Sequence, residues 1–208
     1  MDESAYKQFL DRIKFEQEEL REDLKGLPTH EFKRIGDFGC GWGFVTWSLA
    51  QEFPTSDCVG VDRFDFEKPP YLFEMGFSLE NIQIWYKQKE IEKPISFIQG
   101  DIIIGENLPN GLDLIYCKRV MFNIFGDEKK NELSHAINHI SQVLKPNGWF
   151  CLIEINEPYF KTSLEELLIQ VNFEFMPPRC LYRPYRTPEK TYEKYPYLIY
   201  QCKKVKQE

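Results

Sequence analysis

The sequence predicts an α/β fold with a mostly parallel sheet and helices on both faces. Short apolar segments alternate with helix-like segments from residue 33 to about residue 155, and this alternation is typical of parallel sheets. A glycine-rich turn at residues 39–43 joins the first predicted strand to a helix, as expected where such a sheet binds a ligand. With 208 residues, 42% of them hydrophobic, the chain is long enough for one well-buried domain, and a second domain is not expected.

The N-terminal segment, residues 3–25, has the pattern of an amphipathic helix that ends at Gly26-Leu27-Pro28. Charged residues surround one apolar stripe, formed by Ala5, Phe9, Ile13, Leu20 and Leu24. A stripe of this kind suits a helix packed on the sheet edge, and it suits equally a lid over a ligand pocket, so both alternatives stay open. We separate an N-terminal helix, residues 1–28, from a single globular domain, residues 29–208.

The remaining elements follow in order. Strands are predicted over residues 33–37, 57–62, 95–100, 112–117 and 149–155. Helices are predicted over 44–53, part of 69–90, and 127–144. The aromatic-rich segment between residues 62 and 94 predicts an irregular insertion or ordinary helix–sheet packing, whereas residues 101–112 are too few for a regular helix. After residue 161 a short helix over 163–171 precedes two strands, 173–181 and 197–205, joined by a Pro/Tyr/Arg-rich excursion.

The turn Asp37-Phe38-Gly39-Cys40-Gly41-Trp42-Gly43 is the most informative motif. Glycine permits positive φ, and its missing Cβ lets a ligand lie directly on the backbone. Dinucleotide sites use the spacing G-x-G-x-x-G, with a pyrophosphate at the helix N-terminus. Here the spacing is G-x-G-x-G, and Asp37 would repel a pyrophosphate but suits a cationic amino-acid group. Asp62 ends the second strand where a ribose diol would bind, so the pattern predicts a nucleotide-like ligand other than NAD.

Four segments match, in order, the motifs of one enzyme superfamily. They are residues 37–43, Gln99-Gly100-Asp101-Ile102, residues 112–117, and Leu144-Lys145-Pro146-Asn147-Gly148-Trp149-Phe150. Together they resemble the class I S-adenosylmethionine-dependent methyltransferases, and within them the fungal enzymes of the small-molecule and secondary-metabolism-regulator type. Asn147 replaces a glycine of the motif, and Asn tolerates the left-handed conformation. The resemblance implies a Rossmann-like fold with a mostly parallel seven-stranded sheet and an antiparallel C-terminal hairpin strand.

The resemblance also implies a site for S-adenosylmethionine and its product S-adenosylhomocysteine. The glycine turn would wrap the methionine part, Asp62 would bind the ribose hydroxyls, and the end of the fourth strand would lie under the sulfonium. Asp101 would accept from the adenine amine, while Arg63 and Ile102 would flank the adenine ring. The residues expected to bind the cofactor are Asp37, Phe38, Gly39, Cys40, Gly41, Gly43, Asp62, Arg63, Gly100, Asp101, Ile102 and Cys117.

No catalytic residue is assigned from the sequence. Methyl transfer from a sulfonium is an in-line displacement whose leaving group carries its own activation, so an aligned acceptor and a water-free site suffice. Candidates for a base or acceptor anchor follow the fifth strand, and candidates for holding an acidic acceptor follow the fourth. For each of them a solvated loop position or a fold-stabilising hydrogen bond is the alternative. The candidates are Glu154, Asn156, Glu157 and Tyr159, and then Lys118, Arg119 and Asn123.

Composition and absent motifs exclude several classes. Residues 116–119 lack the Pro-Pro stretch of enzymes that methylate bases or glutamine, and no Pro-Cys nucleophile is present. The six cysteines form no C-x-x-C pair, which predicts reduced thiols in the cytoplasm or nucleus and no zinc site. His135 and His139 are predicted to be exposed rather than metal-binding, because the Glu of H-E-x-x-H is missing. No apolar run is long enough to span a membrane, and the N-terminus has no signal-peptide core.

The distribution of charge along the chain is compatible with three functions. Residues 179–206 carry eight Lys or Arg against two Glu, so this segment is net +6 within a chain of net −7 and the remainder carries −13. We expect a methyltransferase acting on a small-molecule acceptor. The alternatives are an RNA or protein acceptor docked on the basic Tyr/Arg-rich segment, and a non-catalytic cofactor-binding partner protein. The sequence does not determine the oligomeric state.

Overall fold

A computed structural model describes residues 3–41, 43–63, 95–124, 130–186 and 192–205. The helix predicted within residues 69–90 lies outside these ranges, and so does the aromatic-rich insertion from residue 64 onward. Trp42 of the glycine turn and the excursion at residues 187–191 lie outside them as well.

Helices and strands alternate along the first part of the chain, as predicted. The helices are α1 (Glu3–Asp23), α2 (Phe44–Glu52), α3 (Met121–Ile124), α4 (Lys130–Val143) and α5 (Pro158–Gln170). The strands are β1 (Arg34–Phe38), β2 (Asp57–Asp62), β3 (Ile95–Gln99), β4 (Leu112–Lys118), β5 (Leu144–Ile155), β6 (Phe173–Phe175), β7 (Arg179–Arg186) and β8 (Tyr192–Lys204). Residues 101–107 form turns around a single bridge between Asp101 and Glu106 rather than a helix, as expected from the length of this connection.

One sheet contains all of these strands, in the order β3-β2-β1-β4-β5-β8-β6, with β7 also paired to β8. The five strands from β3 to β5 run parallel, and β8 runs antiparallel to β5. This is the order of the class I methyltransferase fold, and the predicted fold class is confirmed. Strand order reverses between β1 and β4, and an open α/β sheet binds its ligand beside that point, at the carboxyl ends of its strands.

The C-terminal part differs from the prediction in its details. The strand expected over 173–181 is two strands, because Pro177 and Pro178 supply no N–H donor to a ladder. As a result β6 and β7 lie one after the other along the same edge of β8, and the described sheet has eight strands rather than seven. Helix α5 begins at Pro158, five residues before the predicted start, because the Glu157 side chain caps it by accepting from Phe160 N at 2.6 Å. The left-handed conformation expected of Asn147 is present, with φ 64°.

Apolar residues alternate between the two faces of the central strands and fill two cores. Ile115 and Phe150 belong to the core that packs against α4 and α5, together with Ile137 and Leu164. Leu114, Tyr116 and Ile153 belong to the opposite core, which packs against α2 and the second half of α1. Each fully buried side chain of this size contributes roughly 1.5–3 kcal/mol to folding.

The second half of α1 is joined to the sheet by polar contacts as well as apolar ones. Tyr116 Oη donates to the buried Asp23 carboxylate at 2.6 Å, and Gln201 Nε2 donates to the Asp23 carbonyl at 2.7 Å. Glu16 and Glu19 also lie on the buried side of the helix, so the prediction that its acids surround the apolar stripe is wrong at three positions. The role of a lid stays a prediction.

Candidate functional site

A cavity of about 300 Å³ lies at the carboxyl ends of β1, β2, β3 and β4. Seven of the twelve residues expected to bind the cofactor line it: Gly39, Gly41, Asp62, Arg63, Gly100, Asp101 and Ile102. The other lining residues were not among those twelve: Val61, Ile103, Lys118, Arg119, Val120, Ile124 and Glu132. Segments that are separate in the sequence therefore meet around one cavity, as the topology of the sheet requires.

Hydrogen bonds donated by backbone N–H groups hold the glycine turn over the end of β2. Gly39 N donates to the Val61 carbonyl at 2.7 Å, and Gly41 N donates to Asp62 Oδ2 at 2.8 Å. Gly41 has a φ of +48°, and a Cβ built on it would meet no atom within 4 Å. Its backbone is thus open to the cavity, whereas a Cβ on Gly39 would lie 2.1 Å from Val120. The turn is a cradle on which a ligand can lie in direct contact with the main chain.

The other five predicted residues do not line the cavity: Asp37, Phe38, Cys40, Gly43 and Cys117. Phe38 and Cys117 are completely buried in the core that packs against α4 and α5, so their side chains do not face a ligand. Gly43 precedes the first residue of α2 as its N-cap, and the Cys40 side chain is buried, which raises its thiol pKa well above the ordinary value.

Asp37 is buried beneath the turn and is held by Thr46, whose Oγ1 donates to Asp37 Oδ2 at 2.6 Å. Burial raises the pKa of Asp37 to about 7, against the effect of the Thr46 hydrogen bond, and the nearby charges of Glu16 and Asp62 raise it further. Asp37 is not among the residues that line the cavity, and its hydrogen bond with Thr46 joins β1 to α2.

The turn after β3 forms the next wall. Gly100 N donates to the Asp62 carbonyl at 2.9 Å, and Asp101 Oδ1 accepts from Ile103 N at 2.7 Å. The half-buried His139 places Nδ1 at 2.9 Å from the Ile102 carbonyl, and the carbonyl accepts, so Nδ1 carries the proton. The prediction of two exposed histidines is correct for His135 and wrong for His139, because the turn at residues 101–107 packs over the latter.

The end of β4 brings two cations to the cavity. Lys118 Nζ lies 2.6 Å from Glu16 Oε2 and 2.5 Å from Glu19 Oε2, and all three side chains are at least nine-tenths buried. Arg119 has a φ of 63°, and its guanidinium carbon lies 4.8 Å from the centre of the Tyr197 ring. The sequence pattern alone did not single out Glu16 and Glu19. Glu16 lies three residues after Ile13 and four before Leu20, and this helical spacing places it on the apolar stripe.

Three of the candidates at and after the end of β5 make contacts that support the fold. Glu154 is buried, and its Oε1 accepts from Val120 N at 2.7 Å and Met121 N at 2.6 Å, at the start of α3. Burial raises the pKa of Glu154 to about 7, although these N–H groups lower it. Glu157 caps α5, and Asn156 N donates to the Pro196 carbonyl at 2.9 Å. The side chains of Tyr159 and Asn123 lie outside the described part of the structure.

The cavity combines a surface for close approach with hydrogen-bond acceptors. The open backbone at Gly41 gives a surface for close approach, and the carboxylates of Asp62 and Asp101 supply hydrogen-bond acceptors at the ends of β2 and β3. Within the described ranges, no cluster of His, Cys, Asp and Glu could hold a metal ion. No described helix is both long and apolar enough to cross a membrane.

Known proteins resemble this chain in sequence and in structure. No protein-family model matches it. A curated relative, malonyl-[acyl-carrier protein] O-methyltransferase 2 of Coxiella burnetii, is 26% identical over 187 residues, which cover 83% of this chain and 67% of the relative. A SAM-dependent methyltransferase of Methanosarcina mazei superposes with a TM-score of 0.64 at 14% identity, covering 85% of this chain and 94% of that one. StiE O-MT superposes with a TM-score of 0.65 at 14% identity, covering 92% and 75% of the two chains.

Proposed function

We propose that this chain is a class I S-adenosylmethionine-dependent methyltransferase and that it transfers the methyl group of S-adenosylmethionine to a small-molecule acceptor; its likeness to known methyltransferases supports this. The observation that carries the proposal is the cavity at the carboxyl ends of β1 to β4, where the open backbone of Gly41 lies beside the carboxylate of Asp62.

Each wall of the cavity has a task in this proposal. The turn at residues 39–41 would hold the methionine part, Asp62 would accept from the ribose hydroxyls, and Asp101 with Ile102 would hold the adenine. S-adenosylmethionine supplies a methyl group on a positively charged sulfur, which is an activated leaving group. The chain itself needs to align an acceptor and exclude water, and Val120 and Ile124 supply apolar surface for this.

A small acceptor methylated on oxygen is the first choice. The Coxiella burnetii relative is named as an O-methyltransferase, and this supports an oxygen nucleophile. A groove beside the C-terminal hairpin, between α1 and β7, is lined by Glu18, Glu19 and Glu22 with Phe15 and Tyr182. Glu19 and Glu22 are paired with Lys118 and Arg179, so it is the exposed carboxylate of Glu18 that disfavours a polyanion on this face, and this weighs against an RNA acceptor. Five of the six cysteines are buried as thiols, and this supports the reducing environment of the cytoplasm.

Two measurements test the proposal. Calorimetric titration should show binding of S-adenosylmethionine and S-adenosylhomocysteine and none of NAD; equal or tighter binding of NAD would refute it. Incubation with methyl-labelled cofactor and a lysate of the source organism, separated into metabolite, RNA and protein fractions, should place the label among the metabolites. Label in RNA or protein would establish a macromolecular acceptor, and cofactor binding without any transfer would favour a non-catalytic partner protein.

A further inference from the structure

A buried group of three charges joins α1 to the wall of the cavity. Lys118, the last residue of β4, is 8% exposed and contacts Glu16 and Glu19, which are 3% and 9% exposed. Glu16 is also paired with Arg12, which is half exposed. Burial alone would raise the pKa of Glu16, but the charges of Lys118 and Arg12 outweigh burial and lower it. Glu16 is therefore ionised at neutral pH.

This charge group lies next to the predicted cofactor site. Lys118 lines the cavity, and the charges of both Glu16 and Lys118 act on the pKa of Asp37, which lies beneath the glycine turn. Because the three side chains are withdrawn from water, solvent and salt screen their charges less than they screen surface charges. A lysine left unpaired at this position would repel a cationic ligand in the cavity.

We propose that Glu16 and Glu19 of α1 compensate the charge of Lys118, so that the cavity prefers a positively charged sulfonium ligand to its neutral thioether counterpart. The inference rests on the proposed function, since it assumes that S-adenosylmethionine is the ligand. Two carboxylates against one ammonium leave these three buried side chains at net −1, and Arg12, the half-exposed partner of Glu16, is not counted in this group. Helix α1 thus contributes to the choice of ligand from a distance of 99 to 102 residues along the chain.

A comparison of the binding of S-adenosylmethionine with that of S-adenosylhomocysteine distinguishes this role from a structural one. The two ligands differ by one methyl group and by the positive charge on sulfur. A contact that only shapes the cavity affects the dissociation constants of both ligands by a similar factor. A contact that sets the charge of the cavity changes their ratio.

Four proteins with graded charge provide the test. The group carries net −2 in Lys118→Met, −1 in the unmodified protein, 0 in the triple variant Glu16→Gln/Glu19→Gln/Lys118→Met, and +1 in Glu16→Gln/Glu19→Gln. The preference for S-adenosylmethionine over S-adenosylhomocysteine, measured by calorimetry, should decrease in that order. Each step of one unit charge should change the ratio in the same direction, by about threefold or more.

Glu18→Gln is the matched control, because Glu18 lies on the same helix and is exposed; this variant should leave the ratio within about twofold. The triple variant has no unpaired charge in the group, so it and Lys118→Met retain the comparison if Glu16→Gln/Glu19→Gln does not fold. A ratio that is the same in all folded variants would overturn the inference while leaving the proposed function intact. Failure of the unmodified protein to bind either ligand would overturn both.

Discussion

Replacement of Gly41 by alanine tests whether the cavity holds a ligand against the main chain. Gly41 has a φ of +48°, and no atom lies within 4 Å of the new Cβ. The substitution should therefore lower the free energy of unfolding only by the cost of placing alanine in a left-handed conformation, about 1–2 kcal/mol. For a domain of this size the loss corresponds to a decrease in melting temperature of about 2–8 °C. The added methyl group would enter the space that a bound ligand occupies, and overpacking of about 1–3 kcal/mol weakens binding about 5- to 150-fold.

Gly111→Ala is the matched control for this prediction. Gly111 has a φ of +70°, and its Cβ would meet only Lys145 Cε at 3.9 Å, so the cost in stability should be similar. Gly111 is not among the residues that line the cavity, so its replacement should leave ligand affinity unchanged. Thermal unfolding and calorimetric titration with S-adenosylhomocysteine measure the two effects. If Gly41→Ala is folded and binds S-adenosylhomocysteine as tightly as the unmodified protein, the placement of the cofactor on the glycine turn is wrong.

Three further predictions concern other parts of the molecule. Asp62→Ala should weaken S-adenosylhomocysteine binding on the order of ten- to several-hundredfold, because hydrogen bonds to a charged group contribute about 1.5–3 kcal/mol each; an unchanged dissociation constant in calorimetry would contradict the role of Asp62. The pKa of Glu154 is raised to about 7 in the folded state from 4.5, so its contribution to stability is present below pH 4.5 and is lost as the pH rises through 7. Urea unfolding from pH 5 to 8 should therefore show a smaller loss of stability with rising pH in Glu154→Gln than in the unmodified protein, and equal slopes would refute the shift. Replacement of Arg183 and Arg186 together should leave the methylation rate on a small acceptor nearly unchanged; salt-dependent RNA binding that the double variant loses would reverse the preference for a small acceptor.

The parallel part of the fold could be predicted because its signals are local. The bounds of β2 and β4 agree with the predicted strands within one residue, since a short apolar run between turn residues marks a buried strand whatever surrounds it. The glycine turn was equally clear, because its backbone conformation is required by the residues of the turn itself. The C-terminal strands were less predictable, because Pro177 and Pro178 interrupt a pattern that otherwise continues.

The predicted cavity residues divide according to what a motif can specify. A motif indicates which segment approaches a ligand, and the segments 39–41, 62–63 and 100–102 do line the cavity. A motif does not indicate which side chains of a segment point away from the ligand. Phe38 and Cys117 belong to such segments, and their side chains lie in the core. The candidates Glu154 and Glu157 had two alternatives in the sequence, and their contacts with backbone N–H groups favour the fold-stabilising one.

The sequence by itself determined the alternation of strands and helices, the glycine turn and the carboxylates at the ends of β2 and β3, because these depend on neighbouring residues. Only the tertiary structure decided the environment of the acids on α1. Glu16, Glu19 and Asp23 are buried because Lys118 and Tyr116, on a strand far along the chain, supply their partners. Burial of a charge is unfavourable unless a partner compensates it, and no pattern of neighbouring residues encodes a partner about a hundred positions away.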